Sequence, residues 1–155
     1  MLATIQRLRL FTDEAPEGPL SLPRLCAEGL LAGGLSVALD VRPDELFGAL
    51  AEAVGGPAKR LKVLDVRDRP SPRMVVTGGP PAAAETWEVP DLPSLVERLN
   101  QRVAGHPDAR PCAVLGEWDD ALQLWCLPRT ALRALLQEQE FRPENLAQLR
   151  RLATS

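Results

Sequence analysis

What this chain of 155 residues has least of is the side chains most enzymes work with. It has one histidine (His106), no tyrosine, and three cysteines (Cys26, Cys112, Cys126) without a C-x-x-C or any other metal-ligand spacing. General acid–base, nucleophilic and metal chemistry draw on those residue types, so the shortage points to a non-catalytic binding domain that needs no cofactor. The odd number of cysteines, each among apolar neighbours, reads as buried reduced thiols and a cytoplasmic location. Long apolar runs are also missing. No stretch nears the roughly 20 residues of a spanning helix, and Arg7 and Arg9 break the N-terminal apolar run, which argues against a secretory leader. Lysine occurs only at positions 59 and 62, and the net charge is −3. Nothing in that balance drives the chain as a whole towards nucleic acid or an anionic membrane.

What is present suits a globular domain. The 45% hydrophobic and 25% charged residues are ordinary shares, and the length is enough for one domain with a proper core. Fifteen prolines, about twice the average share, fall mostly between the apolar segments and predict short, well-punctuated elements. Alternation over Thr4 to Phe11 predicts a first strand, followed by a loop over Thr12 to Pro19. Ser21 is placed to cap a short helix through Leu25, Cys26 and Leu30 that ends at Gly33-Gly34. Leu35, Val37, Leu39 and Val41 alternate as a strand. Pro43, Asp44 and Glu45 then open a helix carrying Leu46, Phe47, Leu50 and Val54.

Strands are expected over Leu61 to Val66, Arg73 to Thr77 and Glu85 to Val89, with a Gly/Pro/Ala loop over Gly78 to Ala84. A helix follows with Leu95, Val96, Leu99 and Val103 inward. Cys112 to Leu115 and Ala121 to Leu127 bracket Gly116-Glu117-Trp118-Asp119-Asp120 as a hairpin. Thr130 caps a further helix, and a last one runs from Pro143 through Leu152. The order β-α-β-α-β-β-β-α-β-β-α-α has strands joined too briefly for parallel crossovers. It predicts a single α+β domain, mainly antiparallel, with five or six strands packed against helices. Residues 1–34 form a segment that this reading leaves at the periphery or in the core. From Asp44 onward the element order is similar to that of small bacterial secretion-chaperone folds.

Three places are candidates for binding. The hairpin tip of Glu117, Trp118, Asp119 and Asp120 combines carboxylates with a tryptophan, a residue enriched in interface hot spots. The strand around Trp125 is apolar on both faces and calls for a cover on each, from the N-terminal segment or from a second copy in a homodimer. The stretch 59–73 carries Lys59, Arg60, Lys62, Arg67, Arg69 and Arg73, a basic ribbon for an acidic partner or a protected sheet edge. The function expected is a small protein-binding module of adaptor, chaperone-like or inhibitor type. Its partner is another protein, met by Trp118, Glu117, Asp119, Asp120, Trp125, Arg67, Arg69 and Arg73, with no membrane. One alternative is a carboxylate-based metal or small-molecule site built on Glu117, Asp119 and Asp120. The other is nucleic-acid binding through the ribbon, which the acidic net charge and the lack of interleaved aromatics disfavour.

Overall fold

In a computed structural model, residues 1–13, 16, 21–78 and 83–154 are described. The loops expected over Thr12 to Pro19 and Gly78 to Ala84 therefore lie largely outside the described residues. The chain divides into two compact units: Met1–Leu39 with Pro111–Ser155, and Asp40–Arg110, which is inserted between those two pieces.

The first unit opens with a helix, α1 (Leu2–Arg7), where alternation predicted a strand. A six-residue helix is too short to display its period. Its stop signal is also disguised: the turn closes with Arg9 N–H on Gln6 O (3.0 Å) and Leu10 N–H on Ile5 O (3.1 Å), a Schellman pattern that usually carries glycine at the position Arg9 holds with φ 58°. Helix α2 (Leu22–Ala27) is capped by the Ser21 side chain, as expected. It lies against a three-stranded antiparallel sheet of β1 (Gly34–Ala38), β6 (Ala121–Cys126) and β5 (Cys112–Trp118), in the order β1-β6-β5. Helices α5 (Arg129–Leu135) and α6 (Leu146–Thr154) complete the unit.

The N-terminal segment supplies Ile5, Leu10, Leu22, Leu25, Cys26 and Leu31 to the core cluster, beside Trp125, Leu127, Leu132 and Phe141. The outer edge of β5 is closed by a side chain. Asn145 accepts from Val114 N (2.9 Å) through Oδ1 and donates Nδ2 to Cys112 O (2.9 Å), in the way a neighbouring strand would.

The second unit holds β2 (Lys62–Arg67), β3 (Arg73–Thr77) and β4 (Glu85–Glu88), an antiparallel sheet in sequence order. It also holds α3 (Pro43–Val54), a 3₁₀ helix (Gly56–Arg60) and α4 (Leu92–Arg102). Asp91 caps α4, its carboxylate accepting from Ser94 N at 2.8 Å. Phe47 meets Trp87 at 6.0 Å between ring centroids, and Arg98 lies over the other aromatic partner, Trp87, at 5.5 Å. The fold is thus α+β, and among the described residues every strand pair is antiparallel and six strands form two sheets of three. A single sheet of five or six was expected. The division arises because β1 pairs with β6, on the far side of the inserted unit in the chain.

Candidate functional site

The predicted hairpin is present, and a bulge decides what it displays. Register shifts between Val114 and Gly116, where Gly116 has φ 120°, a value that suits glycine alone. Beyond the bulge Gly116 faces Gln123 and Trp118 faces Ala121. Directly opposed residues share a sheet face, so Trp118 falls on the face of Gln123 and Trp125, and Glu117 falls on the other. Strand β5 runs on through Trp118, which leaves only Asp119 and Asp120 as the turn. Both have positive φ (56° and 57°), as a two-residue type I′ hairpin requires.

The tryptophan remains 42% exposed. Arg24 of α2 places its guanidinium carbon 5.9 Å from the ring centroid, within cation–π range. That guanidinium also pairs with Glu28 at 3.1 Å. The buried Gln123 fixes the tip from beneath, donating Nε2 to Trp118 O (3.1 Å) and to Ser36 Oγ (3.0 Å). Glu117, Asp119 and Asp120 are all exposed, and among the described residues none of them forms an ion pair. The tip therefore carries an aromatic platform with three unbalanced negative charges. No group of three or more His, Cys, Asp or Glu among the described residues could hold a metal ion, these carboxylates included.

Trp125, expected at a partner-facing sheet surface, belongs to the core. It is fully buried, donates Nε1 to Ala32 O (2.9 Å), and meets Phe141 edge-on at 6.4 Å. The reason is β6 itself, where every residue from Leu122 to Cys126 is buried.

The basic stretch is dispersed. Lys59 and Arg60 sit on the 3₁₀ helix rather than on a strand, and Lys59 lies 3.7 Å from Glu52. Arg67 is exposed and held by Asp65 at 3.1 Å. Arg69 is exposed on the connection from β2 to β3, and its carbonyl accepts from Arg73 Nη2 at 3.0 Å. Arg73 is half-buried, opposite Arg67 on one side and Glu88 on the other.

The three cysteines are buried free thiols. Cys112 and Cys126 face each other across β5 and β6. Hydrogen bonding to Cys126 and burial push the Cys112 thiol well above its ordinary range. His106 is exposed, in the turn after α4.

Sequence reasoning missed Arg24 and Gln123. The polar interruption in Leu122-Gln123-Leu124-Trp125 was the available signal for Gln123, since a lone amide in a buried strand must find hydrogen-bond partners. Nothing local announced Arg24, because its contact joins α2 to β5. No family model, curated protein or solved structure matches the chain. The likeness in element order to secretion chaperones thus has no counterpart in a matched fold. No helix among the described residues is long and apolar enough to cross a membrane.

Proposed function

We propose that this chain is a non-catalytic protein-binding module of adaptor, chaperone-like or inhibitor type, and that its partner docks a basic surface on the Trp118 hairpin. One observation carries the reading: an exposed tryptophan held on a braced turn and capped by Arg24, with three exposed carboxylates at the same hairpin tip that have no cation of their own. Aromatic anchors with an arginine beside them are what interface hot spots are made of. Unbalanced carboxylates steer and select a partner of opposite charge more than they add raw affinity. The turn also has little freedom to lose on binding, which reduces the entropic cost of association.

A cytoplasmic setting belongs to the same reading, and three free thiols are in keeping with it. A homodimer through the face near Trp125 gains no support, since that ring is covered within a single chain.

The test compares the tagged chain with Trp118→Ala and with the triple variant Glu117→Gln, Asp119→Asn, Asp120→Asn, by co-purification from the native host. The wild type should retain a partner that salt weakens. Trp118→Ala should lose it without loss of secondary structure, and the triple variant should bind it more slowly. A partner retained equally by all three proteins contradicts the proposal.

A further inference from the structure

The second unit contains a cavity of about 250 Å³ between the start of α3 and the end of the sheet where β2 turns into β3. Its accessible apolar lining is Val66 with Pro43, Pro72 and Pro90, while Met74 and Val89 beneath them are buried. Four ionic side chains complete it: Arg42, Asp44, Asp68 and Arg73.

The two arginines are in different states. Arg42 is committed, with Nε on Asp44 Oδ1 at 3.0 Å and Nη2 on Asp68 Oδ1 at 3.3 Å. Its end of the cavity therefore holds two carboxylates against one guanidinium. Asp44 is half-buried, and its second oxygen makes no hydrogen bond among the described residues. Arg73 is the reverse. It forms no ion pair among the described residues, it is half-buried, and its Nε is shielded from solvent with no acceptor. Among the described residues its side chain makes one hydrogen bond, from Nη2 to the Arg69 carbonyl.

The lining charges sum to zero but divide into the Arg42–Asp44–Asp68 cluster, with one net negative charge, and Arg73, which takes part in none of its ion pairs. A simple anion would satisfy Arg73 and be repelled by Asp44 and Asp68, and a simple cation would meet the opposite conflict. A compact zwitterion satisfies both, and an apolar side chain on it would lie against Val66, Pro72 and Pro90.

We infer that this cavity binds a small zwitterion of the α-amino-acid class with an apolar side chain, its carboxylate on Arg73 and its ammonium on Asp44. This site lies in the other unit from the hairpin, and the inference stands independently of the partner proposed there.

Calorimetric titration of the full chain with leucine, leucine methyl ester and N-acetyl-leucine tests it, because the two derivatives each block one charge. Leucine should bind about tenfold or more tightly than either, each blocked group forfeiting a charge-assisted hydrogen bond. Arg73→Gln should lose leucine and N-acetyl-leucine alike, whereas Asp44→Asn should bring leucine down to the affinity of N-acetyl-leucine. Far-UV circular dichroism of each variant separates lost binding from lost folding. If Arg73→Gln fails to fold, the three ligands on the wild type still decide the matter. Absence of heat with leucine and the other apolar amino acids at millimolar concentration overturns the inference. So does N-acetyl-leucine binding as tightly as leucine, which would make the cavity an anion site.

Discussion

Replacing Gly33 with alanine should cost the first unit about 2–3 kcal/mol, and the figure can be assembled from two effects. Gly33 has φ +85°, a conformation that costs an L-residue roughly 1–2 kcal/mol. Its added Cβ would stand 2.5 Å from the carbonyl oxygen of Cys126. That oxygen is backbone and cannot rotate away, so the residue 33 region and β6 must separate. Separation strains the bond from Cys126 N to Gly33 O, now 3.0 Å, and losing it costs about 1 kcal/mol more.

Gly29 is the control within the same unit. It has φ +73° with nothing within 4 Å of an added Cβ, so alanine there should cost only the conformational part, about 1–2 kcal/mol. Gly48, inside α3, also has open space around it, and alanine there should stabilise the second unit by up to about 1 kcal/mol. Urea unfolding followed by tryptophan fluorescence measures all three, and the Gly33–Gly29 comparison holds even if the two units unfold separately. A cost at Gly33 within about 0.5 kcal/mol of that at Gly29 would refute the steric argument.

Three other substitutions probe the rest of the account. Asn145→Ala strands two backbone groups on the edge of β5 and should lower stability by about 2 kcal/mol in the same assay. Arg9→Gly should raise stability by up to about 1 kcal/mol, because φ 58° no longer carries a Cβ; an unchanged midpoint would count against the Schellman assignment. Burial pushes the Cys26 thiol from 9.0 up to about 11. Between those values the folded chain keeps a proton that the unfolded chain has lost. This stabilisation is therefore complete below pH 9 and falls away as pH rises towards 11, by at most about 1.4 kcal/mol per unit. Cys112 shifts in the same direction. Urea midpoints should therefore fall as pH rises above 9 and not below it through this thiol, and Cys26→Ala should flatten that slope.

Local signals carried most of the elements. Asp91 before Leu92-Pro93 marked α4, Gly55-Gly56-Pro57 ended α3, and the polar island Gly116 to Asp120 marked the hairpin. What failed was whatever depends on distant chain. Alternation in Leu35 to Val41 identifies a strand but not its partner, so the pairing of β1 with β6 and the resulting two sheets were beyond reach. Arg9 in a glycine position hid the end of α1. At the site, Trp118 was legible as an aromatic in a turn, but its face depended on a one-residue bulge that flips every side chain after it. The double-sided apolar run around Trp125 was read correctly as a strand needing cover on both faces, yet the core claims that ring.

The central claim is that Glu117, Trp118, Asp119 and Asp120 form a docking surface for a basic partner. Its most direct test is zero-length carbodiimide cross-linking of the co-purified complex, with the linked peptides identified by mass spectrometry. The account predicts links from Glu117, Asp119 or Asp120 to lysines of one partner protein, and their disappearance in Trp118→Ala. Links that avoid residues 117–120, or that persist unchanged without the tryptophan, would contradict it.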